Sequence, residues 1–146
     1  SCMKRLINEQ RGCEIRFETT DKDKDVLIAF NFDKQSLRLI KVFDLDSERL
    51  NSLNLELSWM ITEEGIYIKD ITGGTSIGSG TIAFNILNQI LKERNINVNR
   101  TYGEISHSDY KSHGNRLLHF YEKNGFVIRK TLNNGAVWGY FEKGEK

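Results

Sequence analysis

Apolar and polar residues alternate through the first half of the chain, the period of half-buried strands, and then give way to a helical spacing. Cys13–Thr19 predicts a first strand, with the charged Asp21-Lys-Asp-Lys-Asp25 as its turn. Val26–Phe32 predicts a second strand and Ser36–Phe43 a third, in which Leu37, Leu39 and, after a slip of register, Val42 share a buried side. Leu53–Ile61 and Ile66–Ile71 predict a hairpin across Thr62-Glu-Glu-Gly65, while Asp46–Leu53 fits a short helical turn or a loop. From Thr81 to Arg94 the rows Ile82, Ile86, Ile90 and Ala83, Leu87, Leu91 make one apolar helix face. Arg100–Ser106 reads as a strand. Residues from about Ser112 to Lys123 read as a second amphipathic helix on Leu117, Leu118, Phe120 and Tyr121. Asn124-Gly125 supplies a left-handed stop after it, and Phe126–Lys130 and Ala136–Phe141 flank Asn133-Asn-Gly135 as a closing hairpin. The sum is an α+β fold: a mostly antiparallel mixed sheet with two main helices and a strand-rich N-terminal half.

At 146 residues, with no proline, linker or repeat, the chain is expected to be a single domain over 1–146. A hydrophobic content of 38% and a charged content of 28% suit a soluble globular protein. No apolar run approaches the roughly 18 residues of a membrane span, and no basic-then-apolar leader opens the chain. The expected setting is therefore cytoplasmic, with no membrane partner. Cys2 and Cys13 lack metal-ligand spacing, so no metal is expected. Ser1, ahead of Cys2-Met3, reads as a remnant of tag removal, and the first few residues are assigned no element.

Net charge is only +1, but residues 1–72 hold 11 Lys+Arg against 14 Asp+Glu, and residues 73–146 hold 10 against 6. That is −3 and +4. The positive half suits an anionic ligand, yet its charge is too dilute for a nucleic-acid partner.

The positive half opens on Gly73-Gly-Thr-Ser-Ile-Gly78-Ser-Gly80, set between the strand Ile66–Ile71 and the helix. Unhindered backbone N–H groups in such a turn, with the positive end of the helix dipole behind them, bind a phosphate or pyrophosphate. Gly78-Ser-Gly80-Thr-Ile-Ala83 matches the dinucleotide pattern, but too far beyond its strand, and the Gly-Lys-Ser/Thr of a Walker loop is absent. A solvated glycine loop is the bland alternative.

Strand, glycine turn, helix, strand, and a helix ending in Phe120-Tyr-Glu-Lys-Asn-Gly-Phe126 together resemble the GNAT superfamily of acetyl-CoA-dependent N-acetyltransferases over roughly residues 64–141. Tyr121-Glu-Lys-Asn-Gly-Phe126 matches the family's Tyr-Glu-Lys-x-Gly-Phe string in full. The family's R/Q-x-x-G-x-G/A loop fits in two registers. One takes Gly73, Ser76 and Gly78; the other takes Thr75, Gly78 and Gly80. The resemblance implies a GNAT-like fold and acetyl-CoA as co-substrate, held at Ile71, Ser76, Ile77, Gly78, Ser79, Gly80, Thr81, Asn115 and Lys123. It implies transfer to a small-molecule or protein amine, admits a homodimer, and gives Tyr121 the role of the acid that protonates the leaving thiolate.

Glu104 is the candidate base, directly or through water, with Asp70 as its rival. Ser106, His107 and Asp109 are triad types packed too closely in sequence to converge on one atom. His113 and His119 are six apart, not the spacing of a helical metal pair. The acidic meander replaces the two helices that usually follow the family's first strand. A non-catalytic CoA-binding or interaction module therefore remains a second reading, and a module for another nucleotide a third. The acidic half favours a cationic amine as acceptor.

Overall fold

A computed structural model of the chain describes residues 2–32, 37–46, 53–74, 77–131 and 135–144. Ser36, Thr75, Ser76, Asn133, Asn134 and most of the Asp46–Leu53 segment lie outside them. The elements are α1 (Cys2–Glu9), β1 (Glu14–Thr19), β2 (Asp25–Phe30), β3 (Arg38–Asp44), β4 (Leu53–Thr62), β5 (Gly65–Gly73), α2 (Ser79–Glu93), β6 (Arg100–Ser106), α3 (His107–Lys123), β7 (Val127–Lys130) and β8 (Val137–Gly144). The strands make one sheet in the order β1-β2-β3-β4-β5-β6-β8-β7. β5 and β6 pair in parallel, whereas β1–β2, β2–β3, β3–β4, β6–β8 and β7–β8 pair antiparallel. This is the mixed α+β architecture expected.

The chain divides into two compact units, Ser1–Trp59 with Asp70–Asn95, and Met60–Lys69 with Ile96–Lys146. In the first unit β2 is apolar on both sides because both are covered. Arg16, opposite Ile28, reaches Gln89 and Glu93 of α2, and its guanidinium lies over the ring of Phe30. Arg94, after the end of α2, ties back to Glu14 and covers Phe32. On the other side Leu27, Ala29 and Phe43 pack with Leu6. The buried pair facing α2 on β3 is Ile40 and Val42, opposite Phe30 and Ile28. Leu37 and Leu39 do not share that side, which corrects the expected phase of the strand. A register shift does occur in the ladder with β4, but between Val42 and Phe43, too late to bring Val42 to the side of Leu39.

Helix α1 is an addition to the sequence reading. Among its described side chains only Leu6 is deeply buried, and Met3 and Ile7 stay 38% exposed. One anchored leucine leaves no periodic signature to read.

In the second unit α3 begins at His107, ahead of the expected start near Ser112. The Ser106 hydroxyl accepts a bond from the Asp109 N–H at 3.0 Å, an N-cap that starts the helix before its apolar spacing begins. His113, at φ −138° and ψ 17°, then kinks it. The far end closes as a Schellman motif. The Phe126 N–H donates to the Tyr121 carbonyl and the Gly125 N–H to that of Glu122, with Gly125 at φ 88°. The two rings that flank this cap, Tyr121 and Phe126, meet edge-on at 5.8 Å. The string Tyr121–Phe126 is therefore a complete helix stop with its apolar clasp.

Tyr121 also stacks on Phe141 of β8 at 3.9 Å, and Phe141 stands opposite Gly103 of β6. A Cβ on Gly103 would lie 2.2 Å from the Phe141 ring and 2.9 Å from the Ile68 carbonyl oxygen. Gly103→Ala is accordingly expected to lower unfolding free energy by about 1–3 kcal/mol, the usual cost of overpacking. Urea denaturation measures it; a variant as stable as the parent would show that the ring does not need this gap.

Candidate active site

The glycine turn of the first unit is held at both ends by one residue, Asn54 at the start of β4. Its carbonyl accepts from the Gly74 N–H at 2.6 Å, and its side-chain Oδ1 accepts from the Ser79 hydroxyl at 2.5 Å. Gly78 caps α2 in the left-handed region, at φ 88° and ψ 15°, and the first helical bond runs from the Ile82 N–H to its carbonyl at 3.2 Å. The N–H groups of Ser79, Gly80 and Thr81 are therefore those of the first helical turn, which have no acceptor within the helix. Ser79 is 2% exposed with its hydroxyl committed to Asn54, so it has only its backbone to offer a ligand. Ile71, Ile77, Gly78, Gly80 and Thr81 are half-buried.

The side of Gly78 where a Cβ would project is closed. That position lies 2.5 Å from Asp21 Oδ1 and 3.0 Å from Thr20 Cβ, in the β1–β2 turn. Any side chain at Gly78 thus meets strain from both its φ and its neighbours. Substitution there would disturb the fold as well as any ligand.

In the second unit β6 alternates. Thr101, Gly103 and Ile105 are buried, whereas Glu104 is exposed on the opposite side with half-buried Tyr102. The parallel ladder with β5 runs from Ile66–Thr101 to Ile68–Gly103. The next residues along, Lys69 and Glu104, lie beyond it. Glu104 accepts a hydrogen bond from the Tyr67 hydroxyl at 3.3 Å. Burial, the Glu104 charge and this hydrogen bond raise the pKa of the Tyr67 phenol, so it stays a donor. Tyr67 packs against Tyr102, whose hydroxyl meets Thr62 Oγ1 at 2.8 Å and whose ring lies under the Arg100 guanidinium. Glu142 is held between Arg100 and Arg129, whose hydrogen bonds keep it ionised below the usual carboxylate range.

Tyr121 is 5% exposed, enclosed by Phe141, Phe126 and Phe120. Asn115 and Lys123 are exposed on α3, Asn115 two residues beyond the kink. Asp70 is exposed on β5 in the first unit, and its carbonyl accepts from the Ser58 hydroxyl. Ser106 serves as a helix cap, the His107 N–H donates to the Ala136 carbonyl, and His113 Nδ1 meets Arg116. Among the described residues no group of three or more His, Cys, Asp or Glu side chains is placed to hold a metal. No helix is long and apolar enough to cross a membrane.

Tyr67, Tyr102 and Tyr140 were not singled out by the sequence. Each reads there as an ordinary strand aromatic, and only the β5–β6 register places Tyr67 beside Glu104.

No family model matches the chain. The Bacillus subtilis protein YocC is 36% identical over 79 residues, 52% of this chain and 46% of that protein, so the match spans a little under half of its length. Among solved structures, the fold is similar to the PaiA N-acetyltransferase of Thermoplasma acidophilum in complex with coenzyme A. There the TM-score is 0.55 at 15% identity, over 75% of this chain and 62% of that one. An acetyltransferase of the GNAT family from Streptococcus pneumoniae gives a TM-score of 0.51 at 13% identity, over 75% and 68% of the two chains. Arabidopsis thaliana NAA60 with a bisubstrate analogue gives 0.50 at 13%, over 78% and 79%. Over about three quarters of its length the chain carries the fold of the GNAT acetyltransferases.

Proposed function

We infer that the chain is an acetyl-CoA-dependent N-acetyltransferase acting by direct transfer to a primary amine. The observation that carries this reading is the Tyr121–Phe126 helix stop on a GNAT fold. It holds a phenol at the place where the resemblance puts the acid, and it does so rigidly. The phosphate part rests on the first unit: the backbone amides of Ile77 to Thr81 bind the pyrophosphate, supported by the left-handed Gly78 cap that opens α2. Ile71, Ser76, Asn115 and Lys123 complete the cofactor contacts implied by the family. No metal enters the proposal.

The transfer chemistry rests on the second unit. The amine must first lose a proton, because an ammonium has no lone pair to attack with. Glu104, exposed on β6, takes that proton directly or through water. The C–N bond forms at the acetyl carbonyl carbon, and the tetrahedral oxyanion collapses by breaking the C–S bond. Tyr121 delivers its proton to the departing thiolate, whose own basicity makes it a reluctant leaving group, and the extra proton that the nitrogen carries after attack passes through water to restore the phenol. A second reading, a CoA-binding or interaction module without catalysis, is favoured by one fact: the Tyr121 ring is a packing element in its own right, stacked on Phe141 and edge-on to Phe126.

Acetyl-CoA at about 100 times Kd is expected to stabilise the native state by near 2.7 kcal/mol, visible as a raised Tm, with NADH and ATP doing much less. The absence of a shift with any CoA species at millimolar concentration removes the cofactor assignment.

Thr81→Asp tests the loop with opposite signs in its two readouts. An acidic residue in the first turn of α2 favours the helix, so stability should hold or rise. The same charge beside the pyrophosphate amides should weaken acetyl-CoA by about tenfold or more, some 1.4 kcal/mol. Unchanged affinity by calorimetry would move the phosphate site elsewhere.

Tyr121→Phe keeps the ring and removes one oxygen. With an acceptor found by screening, kcat and kcat/KM should fall together by about 10²-fold, while acetyl-CoA affinity changes little. Wild-type thiol release from this variant would take Tyr121 out of the mechanism.

A further inference from the structure

A sheet edge is a template for a further strand unless charge, proline or a bulge defends it. Here the edges are β7 and β1. β7 is four residues long and carries Arg129 and Lys130 side by side, one to each face. β1 is six residues long, has no proline, and pairs with β2 without a break from Glu14 to Thr19. Its charged residues Glu14, Arg16 and Glu18 all point to the α2 side, and Ile15, Phe17 and Thr19 to the other. Phe17 is 57% exposed.

The Thr20 N–H donates to the Lys24 carbonyl at 2.8 Å, so the hairpin closes on a hydrogen-bonded pair. Counting back by twos, Glu18, Arg16 and Glu14 turn their backbone groups to β2, and Thr19, Phe17 and Ile15 turn theirs outward. A second copy of β1 offers the same three, and two-fold pairing of identical strands leaves few registers. With Phe17 opposite Phe17, Ile15 meets Thr19 twice and Arg16 meets Glu18 twice. Sliding the copies by two residues one way sets Arg16 on Arg16 and Glu14 on Glu18; sliding the other way sets Glu18 on Glu18. A register centred on Ile15 runs out at Gly12, whose φ of 88° ends the extended chain. Opposite charges across a ladder stabilise it and like charges do the reverse. Only the register centred on Phe17 matches charge with charge along the strand.

Glu18 is half-buried and lacks a cation within its own copy. Arg16 is taken by Glu93 and Gln89, and Asp44, beyond Val26 on the same side, adds a like charge. Among the described residues Lys22 and Lys24 of the nearby turn make no ion pair with it.

We propose that the chain pairs with a second copy of itself edge to edge through β1. Phe17 lies on the two-fold axis, and Arg16 of each copy faces Glu18 of the other. The interface rests on the first unit alone and is independent of the transferase reading. One short strand pair buries little area, so the association is weak, with a Kd of about 10–100 μM, as fits the small end of interfaces.

Sedimentation equilibrium of the whole chain from micromolar to millimolar concentration should show a reversible monomer–dimer transition. Phe17→Asp, at an exposed position, sets two carboxylates against each other on the axis and should weaken the dimer about tenfold or more. Glu18→Lys and Arg16→Glu should each do the same by opposing like charges. An equimolar mixture of those two variants should dimerise again, because every charge in the mixed pair then has its opposite. Arg16 also ties β1 to α2, so the Tm of its variant is read first. If that variant unfolds, Phe17→Cys decides the register. Hydrogen-bonded partners stand about 5.5 Å apart between Cα atoms, within disulfide reach, so mild oxidation should join position 17 of one copy to position 17 of the other. A chain monomeric at millimolar concentration, or Phe17→Asp dimerising like the wild type, overturns the interface. Folded variants that fail to recover on mixing, or a missing link at position 17, overturn the register.

Discussion

The contact on which the second unit depends is that of the Phe141 ring with the bare backbone of Gly103. Only because Gly103 has no side chain can Phe141 lie so low across β6 that Tyr121 stacks on it at 3.9 Å. Tyr121 is at the same time the third residue from the end of α3 and one side of the clasp that stops it. Sheet, helix end and following strand are thus joined through a pile of three rings. Side chains so enclosed have one rotamer available, and the phenol inherits that rigidity.

Two constraints of different origin shape the glycine turn. Asn54 holds Gly74 through its carbonyl and Ser79 through its amide side chain, so both are tied to β4. The β1–β2 turn backs Gly78 with Thr20 and Asp21.

Most of the fold was legible because its elements are long and periodic. The alternating strands, the two apolar rows of α2 and the Asn124-Gly125 stop each carry their own signal. Three features were not. α1 is anchored by Leu6 alone. The first turns of α3 are polar and owe their start to the cap at Ser106. The phase of β3 was misjudged because both its faces are covered, so hydrophobicity could not say which of Leu39 and Ile40 looks toward α2. The candidate site was legible only as separate motifs. The glycine turn and the Tyr121 string are local in sequence, but the meeting of Tyr67 with Glu104 depends on two strands in register, and register is a property of the sheet.

The clasp at the end of α3 has an evolutionary consequence. Every part of it that depends on shape, the ring stack, the left-handed glycine and the two backbone bonds, is satisfied equally by phenylalanine at position 121. Selection for a well-folded protein therefore preserves an aromatic ring there. A duplicated copy of such a gene keeps its shape and its sequence signature for as long as that ring stays, whatever else in it drifts.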